Sequence, residues 1–389
     1  FGPYRQSERH EIYRSVISRL LESDHCYECF CTTEELDARR EEARAQGRPP
    51  GYDGHCRSLD ASQVEARKAA GDLSVIRLRM PEGDITWPDL IRGEITFQAG
   101  QVPDFVLQRA NGDPLYTLVN PVDDAAMRIT HVLRGEDLLS STPRQIALYR
   151  ALMDVGVFEG PVPQFGHLPY VMGEGNKKLS KRDPESSLRM YQKAGYLPEA
   201  LANYLALLGW SLGGDLEFFS KEEMAAAFTL DRVNPNPARF DLKKCTAING
   251  DWIRHLGHDE LVARIAPFLA EHALVCDPPT KDEAQVLAEA VPLVAERLET
   301  LGQSVELLRF FFDQNVSWDE QDQEKVLGPD SPTVLSSAIQ ALEAETEWQA
   351  AAIEQALRES LVNELGLKPK VAFGPVRLAI TGRRISPPL

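Results

Sequence analysis

The sequence predicts an α/β core interrupted by an irregular α+β segment and followed by an all-helical region. Three observations carry this. Strand, loop and helix alternate between Tyr116 and Leu208. Residues 24–112 mix cysteines and glycines with short β-type runs. After about His255, apolar residues recur almost only at helical spacing. A chain of 389 residues also exceeds one ordinary domain.

The first helix is expected over residues 5–23, where Ile12, Tyr13, Val16, Ile17, Leu20 and Leu21 share a face. Thr33 before Glu34-Glu35 predicts a helix that opens a long charged run. Residues 74–79, 94–97 and 105–107 read as short strands, and Tyr116 and Asn120 are placed together on another. Residues 129–133 read as a buried strand ending at Arg134-Gly-Glu-Asp137. Thr142 is expected to cap the next helix, with Pro143 in its first turn. In open α/β sheets ligands sit beyond the carboxyl ends of strands, so Arg134 to Asp137 mark a candidate site. A further helix is expected over 198–209, and amphipathic stretches follow near 259–272, 281–313, 333–344 and 349–365. Arg297 falls on a predicted helix, residues 291–301.

Composition narrows the class. Hydrophobic content of 43% with 26% charged residues is that of an ordinary globular protein. No apolar run approaches the roughly 20 residues that span a bilayer, so no membrane role is expected. Six cysteines in so long a chain do not suggest a disulfide framework, and a reducing, cytoplasmic setting is expected. The net charge of −17 describes the body, while binding depends on where positive charge sits. Residues 366–389 carry Lys368, Lys370, Arg377, Arg383 and Arg384 and no acid. That pattern is compatible with a nucleic-acid partner without requiring one.

The sharpest chemical signal is Gly173-Glu-Gly-Asn-Lys-Lys-Leu-Ser-Lys-Arg182. A glycine-rich loop delivering Lys178, Ser180, Lys181 and Arg182 suits a triphosphate, because ammonium groups offset charge that develops on an attacked phosphate. By itself the run reads more readily as a solvated basic loop. The strand-end Arg134-Gly-Glu-Asp and the lead-in Gly166-His-Leu-Pro-Tyr-Val171 both favour a nucleotide pocket. Cys29-Phe-Cys31 with Tyr52-Asp-Gly-His-Cys56 is a candidate metal site. Residues two apart on an extended segment point the same way, and zinc takes four ligands in a closed site. Tyr52, His55 or Cys26 could be the fourth ligand, and free buried thiols are the alternative.

Lys178-Leu-Ser-Lys-Arg182 resembles the second signature (K-M-S-K-S) of class I aminoacyl-tRNA synthetases, in its glutamyl-branch form. The resemblance extends, in order and at similar spacing, to Gly2-Pro-Tyr-Arg-Gln-Ser-Glu-Arg9, Leu115-Tyr-Thr-Leu-Val-Asn-Pro-Val-Asp-Asp124, Val132-Leu-Arg-Gly-Glu-Asp137, Ser141-Thr-Pro-Arg144 and Leu197-Pro-Glu-Ala-Leu-Ala-Asn-Tyr-Leu-Ala-Leu-Leu-Gly209. It continues through Arg297-Leu-Glu-Thr-Leu301 and Phe373-Gly-Pro-Val-Arg-Leu-Ala-Ile-Thr-Gly382. This ordered set, covering essentially the whole chain, resembles the bacterial-type glutamyl-tRNA synthetases.

The resemblance implies a Rossmann-type class I core, incomplete at the N-terminus, over residues 1–23 and 113–195. It implies an inserted acceptor-binding α+β domain over 24–112 and a stem-contact region over 196–257. Two helical anticodon-binding domains would occupy 258–317 and 318–389. Lys181, with Lys178 and Ser180, would be catalytic. Asp137, Val171, Leu179 and Arg182 would complete the site for ATP with Mg2+, and Tyr116, Asn120 and Arg134 would line the L-glutamate pocket. Arg297 would read the last anticodon base of tRNA(Glu). Cys29, Cys31, Tyr52 and Cys56 would hold a structural Zn2+, and the protein would be a monomer. The family's first signature (H-I-G-H-like) is expected upstream of Gly2, in a longer protein that also continues a helix or so further. A non-discriminating enzyme, charging the glutamine tRNA as well, and a tRNA-binding paralogue without catalysis are the rival readings.

Overall fold

The computed structural model describes residues 2–48, 50–173, 177–180, 182–313 and 316–386. They form two compact units: Phe1–Val171 with Gly209–Ser211 and Phe228–Ala238, and Met172–Leu208 with Leu212–Ala227 and Arg239–Leu389.

In the first unit, helix α1 (His10–Glu22) begins later than expected, because Gln6–Glu8 forms a separate 3-10 turn. It buries Tyr13, Val16, Ile17 and Leu20 on one stripe, each contributing roughly 1.5–3 kcal/mol of burial. Strand β1 (Cys26–Cys29) leads to helices α2 (Thr33–Ala45) and α3 (Ala61–Ala69), whose starts are fixed by capping boxes at Thr32 and Asp60. Strands β2 (Val75–Leu78), β3 (Ile85–Asp89), β4 (Gly93–Phe97) and β5 (Phe105–Gln108) follow. Among the described residues they make a sheet in the order β1-β2-β5 and a separate hairpin β3-β4.

In β3, Ile85, Trp87 and Asp89 alternate inward, as a period of two requires. Trp87 stacks on Phe97 at 5.8 Å. A carboxylate therefore occupies a core-facing position, at the point where the chain turns through Gly93, whose φ is +77°.

Tyr116 and Asn120 do not lie on a strand. Helix α4 (Tyr116–Ala126) contains both, and it buries Leu118, Val119, Val122 and Ala125. That helical period outweighs the local bias of Pro121 and the β-branched residues. Strand β6 (His131–Gly135) is not buried; it alternates exposed and half-buried residues. Its one strand neighbour among the described residues is β7 (Gln164–Leu168), paired in parallel. Helix α5 (Thr142–Asp154) crosses between them, buried on nearly every side, completing a βαβ unit. Thr142 is the first residue of α5 rather than its cap, and Ser141 at the cap makes no side-chain cap bond.

The short strand β8 (Val171–Met172) leads into the second unit. There lie α6 (Leu188–Ala194), α7 (Pro198–Leu207), α8 (Lys221–Ala227), the short strand β9 (Ala238–Arg239) and α9 (Leu242–His255). The Asn249 carboxamide, fully buried, accepts from Leu197 N–H at 2.8 Å and donates to Glu299 O. Helices α10 (His258–Glu271), α11 (Lys281–Ala295) and α12 (Ser304–Leu308) enclose one apolar core. After α13 (Glu320–Val326), helices α14 (Ser331–Ala344), α15 (Ala350–Arg358) and α16 (Pro369–Thr381), with a π-helical turn Glu359–Glu364, enclose another. No helix among the described residues is long and apolar enough to cross a membrane.

Candidate active site

Arg134 stands near the end of β6. Its Nε donates to His167 Nε2 at 3.2 Å, and its Nη2 donates to Thr142 Oγ1 at 2.8 Å and to Leu138 O at 3.3 Å. The guanidinium lies 5.5 Å over the Phe165 ring. Its Nη1 is buried and has no hydrogen-bond partner among the described residues. Burial pulls the Arg134 pKa below its ordinary value, while Tyr116, Asp124 and Tyr149 oppose that pull. An unsatisfied buried donor costs about 1–3 kcal/mol, and more when charged, so an incoming carboxylate would relieve this cost. The structure brings Tyr116, half exposed, to Arg134. Asn120 is half-buried one helical turn further along α4.

Asp137 is exposed on the 3-10 turn Glu136–Ser141. A Cβ at Gly135 would lie 2.6 Å from Asp137 Oδ1, so a side chain there would displace that carboxylate. Glu136, which sequence reasoning passed over, pairs with Arg92 and accepts Tyr170 N–H at 3.1 Å. It thereby holds the backbone just before Val171. Asp89, His167 and Thr142, which are linked by hydrogen bonds to one another or to Arg134, were not singled out either. His167 reads as part of an apolar lead-in, and Asp89 stands 78 positions away from it, beyond any local pattern.

In the second unit, Met172 bridges to Lys178 and Gly173 N–H donates to Lys177 O at 2.8 Å. Ser180 N–H donates to Asp183 Oδ2 at 2.6 Å, and Arg182 N–H donates to Ser180 Oγ at 3.0 Å. These bonds present Lys178, Ser180 and Arg182 at the surface, with Leu179 half-buried. A cavity of about 1100 Å³ opens here, lined in part by Lys177, Lys178, Arg239 and Lys243. Lys181 lies outside the described residues.

The three thiols of Cys29, Cys31 and Cys56 converge within 4.8 Å of one another. Cys31 and Cys56 sulfurs are 3.6 Å apart, close to the roughly 3.8 Å that tetrahedral zinc–thiolate geometry implies. Cys29 Sγ donates to Tyr52 Oη at 3.4 Å, and the same oxygen accepts Cys56 N–H at 2.9 Å, so the phenol is the fourth polar group of the cluster. Burial and neighbouring sulfurs push the Cys31 thiol up to about 12. At Cys29 burial also opposes ionisation, but hydrogen bonds from Tyr52, Cys31 N–H and Arg77 bring the thiol below its ordinary value. Three soft donors and a phenol suit a zinc ion.

Arg297 is not within a helix: α11 ends at Ala295, and a capping box at Thr300 starts a new turn. Its guanidinium donates to Ser386 O and lies close enough to Arg377 to help burial lower that residue's pKa. The basic C-terminal segment is less available than its composition suggests. Arg383 binds Ser317 O and Glu306, Arg384 pairs with Asp322, and Arg377 is half-buried. Lys368 and Lys370 remain exposed.

Residues 1–247 match the family described as tRNA synthetases class I (E and Q), catalytic domain, and residues 260–389 match the family described as anticodon binding domain. Over all of its length the chain is 56% identical to glutamate–tRNA ligase of Nocardioides sp., covering 79% of that protein. It is likewise 56% identical to glutamate–tRNA ligase of Saccharopolyspora erythraea, covering 77% of it. A crystal structure of glutamate tRNA ligase from Elizabethkingia meningosepticum, in complex with its amino acid, superposes with a TM-score of 0.83 at 29% identity. That alignment covers 100% of this chain and 80% of the other.

Proposed function

The chain belongs to the class I tRNA synthetases of the glutamyl and glutaminyl branch, and from that membership we propose that it joins L-glutamate to tRNA(Glu) at the expense of ATP. Glutamate's carboxylate attacks the α-phosphorus, pyrophosphate leaves, and the tRNA's terminal ribose hydroxyl displaces AMP from glutamyl-adenylate. The observation that supports this reading is Arg134: one edge of its guanidinium is bound by the protein, while Nη1 is buried without a hydrogen-bond partner among the described residues. A planar fork of this kind binds a carboxylate through two hydrogen bonds. Glutamine cannot supply the matching charge, and a buried cation left unpaired is costly.

Tyr116 and Asn120 line the glutamate pocket with Arg134, and Asp137 and the backbone at Val171 receive adenosine. Lys178, Leu179, Ser180, Lys181 and Arg182 hold the triphosphate, which enters as its magnesium complex. The two lysines stabilise charge on the attacked phosphate. Residues 1–23 and 113–195 form the catalytic core, 24–112 bind the acceptor end and 196–257 contact the stem. Residues 258–317 and 318–389 read the anticodon, with Arg297 offering paired donors to its last base. Cys29, Cys31, Cys56 and Tyr52 hold a structural zinc, which when bound supplies a crosslink and takes no part in the reaction. None of the six cysteines, all among the described residues, is in a disulfide, which fits a reducing cytoplasm, and the working form is a monomer.

Lys181→Ala in the intact protein is expected to abolish glutamate-dependent ATP–pyrophosphate exchange measured with tRNA present. Unchanged exchange would remove the role given to Lys181. Charging of purified glutamate and glutamine tRNAs side by side distinguishes a strict enzyme from one that accepts both.

A further inference from the structure

Asp89, on the hairpin turn of the inserted segment, is buried and surrounded by donors. Its carboxylate accepts the backbone N–H groups of Ile91 at 3.1 Å, Arg92 at 3.0 Å and His167 at 3.1 Å. Its remaining oxygen lies 2.5 Å from His167 Nδ1. An ionised carboxylate can only accept, so Nδ1 carries the imidazole proton and Nε2 presents its lone pair.

That lone pair faces Arg134 Nε–H at 3.2 Å and Thr142 Oγ1 at 3.0 Å. Thr142 Oγ1 in turn accepts from Arg134 Nη2 at 2.8 Å. His167 itself is fully buried. Its ring lies parallel to Phe165, which also underlies the guanidinium. The Nε–Nη2 edge of Arg134 is thereby fixed in direction, and Nη1 is the donor atom without a hydrogen-bond partner among the described residues. The opposite tautomer would turn Nε2–H against Arg134 Nε–H, donor to donor, beside a positive charge.

We propose that Asp89 and His167 are positioning residues: Asp89 sets the His167 tautomer, and His167 with Thr142 aims the Arg134 guanidinium at the substrate carboxylate. This rests on the reading that Arg134 binds glutamate, and it makes the β3-β4 hairpin part of the amino-acid site. The hairpin is also joined to β7 by Leu90 N–H donating to Phe165 O at 2.8 Å.

The test is exchange kinetics of the intact protein with tRNA present, varying glutamate and ATP separately. Asp89→Asn nearly keeps shape, but its amide donates toward Nδ1 and imposes the wrong tautomer. It should raise KM for glutamate roughly ten- to hundredfold, the usual cost of losing a partner that orients a binding group, with KM for ATP little changed. His167→Leu should do the same. His167→Gln, which returns an acceptor near the Nε2 position, should recover part of the loss.

Arg134→Lys tests the underlying reading on its own. If it leaves KM for glutamate unchanged, that reading falls. If it raises KM while Asp89→Asn and His167→Leu do not, the positioning role falls and the reading stands. An equal rise in both KM values with a lowered Tm would reduce Asp89 and His167 to structural residues. Should Asp89→Asn fail to fold, nitrogen NMR of the unaltered protein decides. A His167 protonated at Nε2 rather than Nδ1 would overturn the proposal.

Discussion

At Arg134 a surplus of buried charge is managed by neighbours drawn from three separate stretches of chain. Burial lowers the His167 pKa below its ordinary 6.5, and Arg134 and Arg92 reinforce that effect against Asp89. For a histidine held neutral the sign is clear. Below pH 6.5 the unfolded chain binds a proton that the folded site resists, so stability falls as pH drops from 6.5 through the depressed folded value. It is level with respect to this group above 6.5. Asp89 acts in a lower window: burial tends to raise its pKa, but donors from His167, Arg92 and Ile91 bring it below 3.8. Its stabilisation is lost only as pH falls through that lowered value. Denaturant melts between about pH 5 and 8 should show a His167-dependent decline that His167→Gln flattens. An identical slope in both proteins would count against a neutral His167. Arg134 was legible as a candidate from its place at a strand end, whereas the bonds that Asp89, His167 and Thr142 make around it were not. Their joint role depends on hydrogen bonds between positions far apart in sequence.

Elements with a strong period were the readable ones. Helix α1 and the strands β2, β4 and β5 lie where apolar spacing puts them, and α7 begins at its proline. The error at α4 came from judging Tyr116 and Asn120 as a local pair, when burial of Leu118, Val119 and Val122 decides the backbone. Strand β3 went unseen because its inward positions include a carboxylate, a residue rarely placed in a core without dedicated partners. The three thiols were legible as a candidate ligand set, and folding brings their sulfurs within 4.8 Å of one another. Elemental analysis of the purified protein should find about one zinc per chain, and Cys56→Ser should lose it. Chelation should lower the melting temperature while leaving the rate of adenylate formation nearly unchanged. A metal-free protein with the same melting temperature would favour plain buried thiols.

For the molecule as a whole, a charge of −17 is reconciled with a tRNA partner by local cationic surface. Tertiary structure decides which cations count. Arg383 and Arg384 are engaged by Glu306 and Asp322, leaving Lys368 and Lys370 turned to solvent. Replacing both lysines by alanine should weaken tRNA binding and reduce its log–log salt slope by about 1.4–1.8, the share of two phosphate contacts. An unchanged slope would show that these lysines do not meet the backbone. Class, the strongly periodic elements, the cationic run and the candidate ligand cysteines were legible in the sequence itself, because periodicity, turn chemistry and short motifs are properties of neighbouring residues. Tertiary structure alone decided which arginines are engaged by the protein and which donors and acceptors surround His167 and Arg134. Those outcomes depend on burial and on hydrogen bonds across long sequence separations, which no local pattern records.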